Sequence, residues 1–245
     1  MRQLLPEPAE VDPVAAHAAA ARPAPGHRPW VALNMVASVD GATAIDGVSG
    51  GLGGPGDKEV FRALRAIADV ILVAAGTVRA EGYGPPRTSP ELQEARAARG
   101  QAAFPRIAIV TASLDLDPMA PVFAEAPEPP LVFTGSDAPS DRMAALAGVA
   151  DVHRAKGARP DLAAVLAELG AGGASVVLCE GGPSLNGQLL ERGLIDEVNL
   201  TLAADLVGGG AKRLATGGAA LPTPMALAHV WHQDDDLFLR YCRPA

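Results

Sequence analysis

Apolar and polar positions follow two different spacings along this chain. Short, continuously apolar runs at 70–73 and 176–179 are rich in Val, Ile and Leu, which is typical of strands buried on both faces. Apolar residues at 57–67 and 162–169 instead recur every three or four positions, as on one face of an amphipathic helix. Such strands alternating with helices predict an α/β protein with a mostly parallel sheet between helices.

The same spacings predict the rest of the fold. Further strands are expected within 30–41, 106–110, 131–133, 149–152 and 195–202. Two later runs, 225–232 and 237–241, predict an antiparallel hairpin at the end of the chain. Asp57 is expected to cap the helix that follows it, and the charged segment 91–99 to form a solvent-facing helix or an insertion. The expected fold class is a three-layer α/β fold with a mostly parallel central sheet and a C-terminal antiparallel hairpin.

Composition narrows the functional class. A chain of 245 residues with 49% hydrophobic content is long enough for one sizeable core. Its formal net charge of -8 argues against nucleic acid or an anionic membrane as the main partner. No apolar run reaches the length of a membrane span and no secretory signal is visible, so we expect a cytoplasmic protein. Cys179 and Cys242 are too few for a disulfide framework or a metal site, and no metal is expected.

The N-terminal segment 1–28 differs from the rest of the chain because it is rich in Ala and Pro. Asp12 and Pro13 predict a short helix over 14–21. We expect this segment to be an arm that packs across the body or a partner subunit, or else a mobile tail. The main domain is then expected to cover residues 29–245.

Glycines interrupt the chain between the strand 176–179 and the helix that follows it. Glu180, Gly181 and Gly182 end the strand, and Pro183 with Ser184 opens the helix. Such a junction leaves backbone N–H groups unpaired, and residues without side chains let a phosphate approach the main chain. The pattern is neither G-x-G-x-x-G nor a P-loop, and an ordinary β-to-α turn is the alternative.

Three segments at strand ends together resemble one known family. In chain order they are Ala37-Ser38-Val39-Asp40-Gly41, Ala75-Gly76-Thr77 and Glu180-Gly181-Gly182-Pro183-Ser184-Leu185. In this order they resemble the riboflavin-biosynthesis pyrimidine reductases, the C-terminal reductase domain of the bifunctional deaminase/reductase, which has a dihydrofolate-reductase-like fold. The resemblance covers roughly residues 30–243.

The resemblance implies that the chain binds NADPH. The residues expected to contact the cofactor, mainly through backbone groups and hydroxyls at strand ends, are Ala37, Gly51, Gly76, Thr77, Glu81, Gly181, Gly182, Pro183, Ser184 and Leu185. Thr111 and Ser113 follow another predicted strand, and ligands of open α/β sheets lie beyond the carboxyl ends of strands. These two hydroxyls are therefore candidates for the adenosine end of the dinucleotide.

The resemblance also implies a substrate site. Its expected residues are Asn34, Ser38, Asp40, Ser49, Arg65, Arg87 and Glu180. Arg65 and Arg87 match family arginines for the substrate phosphate, and Asn34 stands where many bacterial members have lysine, which puts the exact substrate in doubt. Glu180 and Asp40 are placed to hydrogen-bond substrate hydroxyls or relay a proton. Ordinary turn chemistry is the alternative for Ser38 and Asp40, and a solvated helix arginine for Arg65.

The implied reaction is hydride transfer from NADPH to the ring-opened ribosyl group of 5-amino-6-ribosylaminopyrimidine 5′-phosphate, which gives the ribityl product. No residue is required as a nucleophile and no catalytic residue is assigned. Residues 1–28 contain neither Cys nor a His-x-Glu motif, so a zinc deaminase module is not expected. A dihydrofolate or pterin reductase and a non-catalytic NADPH-binding sensor remain alternatives. The resemblance implies a homodimer.

Overall fold

The computed structural model describes residues 1–220 and 222–244. Contacts divide the chain into two compact units. The first comprises Met1–Pro23, Trp30–Ile67 and Leu178–Ala245, and the second comprises Ala24–Pro29 and Ala68–Val177.

The helices and strands alternate along most of the chain. In chain order the elements are β1 (Arg2–Leu5), β2 (Ala9–Glu10), α1 (Pro13–Ala19), β3 (Trp30–Ser38), α2 (Pro55–Ile67), β4 (Val70–Ala74), α3 (Ala75–Ala80), α4 (Pro90–Ala97), β5 (Arg106–Val110), α5 (Pro121–Ala124), β6 (Leu131–Thr134), α6 (Ser140–Leu146), β7 (Asp151–Arg154), α7 (Leu162–Ala171), β8 (Val176–Cys179), α8 (Pro183–Glu191), β9 (Glu197–Ala203), β10 (Ala226–Gln233) and β11 (Asp236–Cys242).

In the first unit the strands lie in the order β2-β1-β10-β11-β9-β3. β3 and β9 are parallel, with Asn34 opposite Asn199 and Ser38 opposite Ala203. β10 and β11 form the antiparallel hairpin that the sequence predicts, and β11 pairs antiparallel with β9. Trp231 and Phe238 are fully buried large side chains of this sheet.

The second unit contains four parallel strands in the order β4-β5-β6-β7, connected through helices. Its core contains Ile71, Ile109, Val132 and Leu146, which are the apolar runs and helix faces of the sequence pattern. β8 lies at the division between the units, with Val176 and Val177 in the second and Leu178 and Cys179 in the first. The predicted α/β fold class, with its parallel strands and C-terminal hairpin, is confirmed.

One local prediction was wrong, and a second was confirmed except at one residue. α2 begins at Pro55, so Asp57 lies inside its first turn instead of capping it, and burial raises the pKa of this carboxyl. The charged segment 91–99 forms the predicted helix as far as Ala97, and all of its residues are exposed or half-buried except Arg96, which is fully buried. Its guanidinium donates to the carbonyls of Ala68 and Ala102, at 2.7 Å each, and burial lowers its pKa to about 10. These two hydrogen bonds explain why a charged residue is buried here.

The N-terminal residues contribute secondary structure to the first unit. β1 pairs antiparallel with β10, and Asp12 caps α1 by accepting a hydrogen bond from the amide of Ala15. Arg22 then binds the buried carboxylate of Glu197 through two hydrogen bonds of 2.9 Å. The predicted short helix is therefore present, whereas the division into an arm and a main domain at residue 28 stays a prediction.

Candidate active site

The start of α8 is a helix N-terminus without a cap. Gly182 occupies the N-cap position and has no side chain to accept the amides of the first turn, and Pro183 follows at the first helical position. The first turn contains no acidic side chain. Free backbone N–H groups and the positive end of the helix dipole therefore suit an anion such as a phosphate. Ser184 is exposed at this start, whereas Leu185 is buried beneath it.

Glycine is required at two positions beside this helix start. Gly181 has a φ of +86°, and a Cβ atom there would lie 3.2 Å from the sulfur of Met35 on β3. A Cβ atom on Gly187 would lie 2.0 Å from the carbonyl oxygen of Thr216. The peptide bond between Gly181 and Gly182 is cis. Cys179 just before the turn is fully buried, and burial raises the pKa of its thiol to about 12, so it is an inert thiol of the core.

Glu180 and Arg65, both predicted to contact the substrate, bind each other. Arg65 donates from Nε and Nη2 to the two carboxylate oxygens of Glu180, at 2.8 and 2.7 Å. The guanidinium carbon also lies 4.1 Å from the centre of the Phe61 ring. The Glu180 side chain is 4% exposed and that of Arg65 16%. A solvated surface arginine is therefore the wrong description of Arg65, which orients Glu180 at the end of β8.

Asn34 brings an unsatisfied polar atom to the same unit. It lies in β3, is 8% exposed, and its Oδ1 has no hydrogen-bond partner among the described residues. The side chain of its neighbour Asn199 on β9 also has a buried, unpaired Oδ1. Buried acceptors are normally paired, so these two carbonyls suit hydrogen-bond donors from water or a ligand.

Ser38 and Asp40 follow β3 and form a local network. The Ser38 hydroxyl donates to Oδ1 of Asp40 at 2.5 Å and accepts from the amide of Ala42 at 2.9 Å. Asp40 further accepts from the amides of Val207 and Gly208. In the glycine-rich segment between β3 and α2, Ser49 accepts at its carbonyl from the amide of Leu52, and Gly51 lies against Ile45. Ala37 precedes Ser38 at the buried end of β3.

The other predicted site residues belong to the second unit. Gly76 and Thr77 lie in the first turn of α3, whose start also lacks a side-chain cap, and Glu81 follows its end. Thr111 is buried, and its hydroxyl accepts from the amide of Leu114 at 3.0 Å. Arg87 is 85% exposed and lies 3.2 Å from a carboxylate oxygen of Glu125. Its place as a phosphate ligand stays a prediction.

Sequence reasoning missed a basic pair next to Ser113. Arg79 and Arg142 lie within 3.4 and 3.5 Å of the Asp115 carboxylate, on either side of it. Arg142 donates to the carbonyl of Ser113 and Arg79 to that of Asp115. The three charged residues come from different segments, so no local motif could have found them. They add guanidinium donors beside a hydroxyl predicted to contact the adenosine end.

Sequence reasoning also missed the buried charge centre at Glu197. Its carboxylate accepts from Arg22, Arg240, Trp30 and Asn199, all between 2.9 and 3.0 Å. Burial alone raises the pKa of Glu197, but the hydrogen bonds and charges of Arg240 and Arg22 outweigh it and lower the pKa well below its ordinary value. Glu197 is two residues before Asn199, so this centre supports the strand beside Asn34.

The second unit also contains a groove. It has a volume of about 110 Å³ and is lined mainly by prolines and small side chains, including Pro86, Phe104, Pro105 and Pro127. None of the predicted site residues lines it. Among the described residues, no helix is long and apolar enough to span a membrane, and no group of three or more His, Cys, Asp or Glu side chains suits a metal ion.

The parallel strands with the C-terminal hairpin, and the uncapped glycine turn before α8, define an α/β protein with an anion-binding helix start, as in the dihydrofolate-reductase-like fold class. Comparison with known families agrees with this class and identifies the family. The chain belongs to the RibD C-terminal domain family, whose model matches residues 29–239. The resemblance inferred from the three motifs is confirmed.

Individual relatives agree with this family. The chain is 30% identical over 194 residues to the 2,5-diamino-6-ribosylamino-4(3H)-pyrimidinone 5′-phosphate reductase of Methanothermobacter thermautotrophicus, covering 79% of this chain and 86% of that protein. A pyrimidine reductase-like protein of Corynebacterium diphtheriae superposes with a TM-score of 0.81 and 26% identity, over 89% of this chain and 92% of its own. Dihydrofolate reductase of Enterococcus faecalis, solved with NADP(H), shares the fold alone, with a TM-score of 0.53 and 12% identity over 88% and 97% of the two chains.

Proposed function

We propose that this chain is an NADPH-dependent reductase of riboflavin biosynthesis that converts the ribosyl group of a ribosylaminopyrimidine 5′-phosphate to ribityl. The observation that carries this proposal is the uncapped glycine turn at α8, directly after the Arg65–Glu180 pair. The turn offers donors to a phosphate, and the ion pair fixes a carboxylate beside it. The Methanothermobacter relative, named as such a reductase, supports the substrate class.

The substrate differs between two forms of the pathway only in one ring substituent. The sequence predicts the deaminated 5-amino-6-ribosylaminopyrimidine 5′-phosphate or a close relative, whereas the Methanothermobacter relative is named for the 2,5-diamino form. Asn34 replaces the lysine of many bacterial members, and its unpaired Oδ1 is a hydrogen-bond acceptor that favours an amino donor. We therefore propose the 2,5-diamino compound as the preferred form.

NADPH is the proposed cofactor, in preference to NADH. The pair Arg79 and Arg142 beside Ser113 supports this choice, because guanidinium groups are strong donors to phosphate monoesters. Their recorded contacts use only Nη1, and their side chains are 48% and 44% exposed. With side chains this exposed, both guanidinium groups are accessible to a ligand. We assign them to the 2′-phosphate that distinguishes NADPH from NADH.

In the proposed reaction, the residues of this chain bind the cofactor and the substrate and orient them. When bound, NADPH would supply a hydride for C1′ of the ring-opened sugar, and a proton would be needed at the attached nitrogen, so that the C1′=N bond is reduced to a single bond. Amides at the start of α8 would hold the pyrophosphate, and Gly181 and Gly182 would allow its close approach. Arg65 holds the Glu180 carboxylate in one orientation, so that it can accept a hydrogen bond from a sugar hydroxyl. The remaining predicted cofactor and substrate contacts, apart from that of Asp40, belong to this proposal.

Three further properties belong to the proposal and rest on the sequence and the family resemblance. They are the homodimeric state, the cytoplasmic location and the division into an N-terminal arm and a reductase domain. Light scattering on the purified chain would give twice the mass expected from the sequence if the chain is a dimer. Dihydrofolate reduction has no separate support, because the likeness to the Enterococcus enzyme is one of fold.

The proposed function can be tested by following loss of NADPH absorbance. Purified protein would be mixed with NADPH and, in parallel, with the 2,5-diamino substrate, its deaminated form or dihydrofolate. We expect turnover with both pyrimidine phosphates, faster with the diamino form, and little with dihydrofolate. Consumption of NADPH with dihydrofolate alone would identify a pterin reductase. Tight NADPH binding without consumption in any of the three would identify a sensor.

A further inference from the structure

The end of β3 is tied directly to the segment that follows β9. The amide of Val39 donates to the carbonyl of Asp205 at 3.0 Å. The Asp40 carboxylate accepts from the amide of Val207 at 3.1 Å through Oδ1 and from that of Gly208 at 2.7 Å through Oδ2. Three hydrogen bonds therefore join two segments that lie far apart in sequence.

Asp40 is itself held in place. The fully buried Ser38 donates its hydroxyl to Oδ1 of Asp40 and accepts from the amide of Ala42. Both carboxylate oxygens of Asp40 thus accept hydrogen bonds from other residues of the chain. The hydrogen bond from Ser38 and those from Val207 and Gly208 lower the pKa of Asp40 to about 2. The carboxyl stays ionised at neutral pH, which is unsuitable for donating a proton to a substrate.

The segment after β9 has two more attachments. Asp236 accepts from the amide of Ala204 at 3.1 Å, and its other oxygen accepts from Gly54 at 3.4 Å. Val207 packs against a small buried cluster that includes Val36 and Leu52. Residues 204–208 are therefore anchored on both sides of Leu206.

Two large apolar side chains are nevertheless exposed at this place. Leu206 is 81% exposed and Val39 59%. Both lie just beyond the carboxyl ends of the parallel pair β3 and β9, where open α/β sheets bind ligands. An anchored segment that leaves leucine in water gains no folding stability from it, whereas a flat heterocyclic ring buried against it would gain affinity.

We propose that Asp40 is a positioning residue, which holds residues 205–208 against the end of β3 and so presents Leu206 and Val39 to the pyrimidine ring of the substrate. This assignment rests on the proposed function and deepens it. It replaces the predicted direct contact of Asp40 with the substrate by an action through the anchored segment. Leu206 and Val39 become ring contacts, and neither is among the site residues predicted from the sequence.

Leu206→Ser tests the ring contact. Loss of the apolar contact should raise KM for the pyrimidine substrate about tenfold, with kcat and the NADPH dissociation constant within about twofold of wild type. Met119→Ser is the matched control, since Met119 is 77% exposed in the second unit. This variant should leave all three constants unchanged. An unchanged KM in Leu206→Ser would overturn the contact, and an accompanying change in mass by light scattering would identify an interface between copies.

Asp40→Asn tests the positioning role. The amide nitrogen cannot accept from a backbone N–H, so hydrogen exchange at the amides of Val207 and Gly208 should accelerate. KM should rise about as much as in Leu206→Ser, and the double variant should be no worse than the singles, because both changes act through one segment. The pH profile of kcat should keep its shape. Multiplicative effects, or loss of one limb of the profile, would show that Asp40 acts on the substrate directly.

Wild-type turnover decides the proposed function before any variant is made. Absence of turnover with either pyrimidine phosphate would overturn both the function and the positioning role. Turnover by wild type together with unchanged kinetics in Leu206→Ser and Asp40→Asn would overturn the positioning role alone.

Discussion

Replacing His17 by Phe should make the stability of this protein less sensitive to acid. His17 lies in α1 and is 1% exposed, with its ring against Trp231 at 5.1 Å between centroids. Arg22 lies 3.2 Å away, from Nη2 to Nδ1 of the imidazole. A guanidinium only donates hydrogen bonds, so Nδ1 must be unprotonated to accept this one. Protonation of His17 would remove the bond and place two positive charges together.

The size of the effect follows from the shift in pKa. Burial, with the charge of Arg22, lowers the pKa of His17 from 6.5 to about 3; Glu197 opposes this shift, and His229 and Arg240 add to it. Between pH 6.5 and about 3, His17 is therefore mostly protonated in the unfolded chain and mostly neutral in the folded chain. Stability is lost as the pH falls through this range, by about 2 kcal/mol between pH 7 and pH 5.

Urea unfolding at several pH values between 7 and 5 would measure this. His17→Phe should lose about 1 kcal/mol at pH 7 with the hydrogen bond, but its free energy of unfolding should fall about 2 kcal/mol less than that of wild type on going to pH 5. His27→Phe is the control, because His27 is exposed and water solvates its ring in both states. An identical pH dependence in wild type and His17→Phe would refute the buried, neutral state of His17.

Three further predictions concern the site. Ser184→Asp should weaken NADPH binding at least about tenfold by repelling the pyrophosphate, yet leave stability unchanged or higher because an acid in the first turn favours the helix; Ala164→Asp in the first turn of α7 is the control, and equal NADPH affinities by titration would remove α8 from the site. Arg142→Ala should lower the preference for NADPH over NADH about tenfold, whereas Arg62→Ala should not; an unchanged ratio of dissociation constants would contradict the assignment. Arg65→Ala should destabilise the fold by about 3 kcal/mol and raise the substrate KM more than the NADPH dissociation constant, and the reverse order would reassign Arg65.

Local patterns were sufficient to predict most elements. The apolar runs at 70–73, 106–110 and 176–179 mark β4, β5 and β8 to within a residue, because strands buried on both faces are almost continuously apolar. The start of α2 was predicted three residues late, because Gly56 resembles the glycine-rich segment before it. A Cβ atom at Gly56 would lie 2.6 Å from the ring of Phe238, so this glycine serves packing between α2 and β11.

Contacts between distant segments could not be predicted in this way. Arg65 and Glu180 are separated by 115 residues, and Asp40 and Gly208 by 168. Each of these side chains had an ordinary local explanation, as a solvated arginine or a turn aspartate. The positions of the strand ends could be predicted from the sequence. The partner that each charged side chain binds could not, because it depends on which strands are neighbours in the folded sheet.

Buried charges were the least predictable feature. Arg96 lies in a charged, alanine-rich segment, and Glu197 follows an aspartate at the start of a strand. Their local composition predicts that both side chains are exposed to solvent, because burying a charge without partners costs free energy. In the folded protein, backbone carbonyls accept hydrogen bonds from Arg96, and the charges of Arg22 and Arg240 balance that of Glu197.

The central claim is that this chain transfers a hydride from NADPH to the sugar of a ribosylaminopyrimidine phosphate. NADPH carrying deuterium at the transferred position of C4 would be incubated with the protein and the 2,5-diamino substrate, and the product analysed by mass spectrometry. The proposed reaction predicts a ribityl product with a single deuterium on C1′. A ribityl product without deuterium, or no ribityl product while the substrate and NADPH are bound, would contradict it.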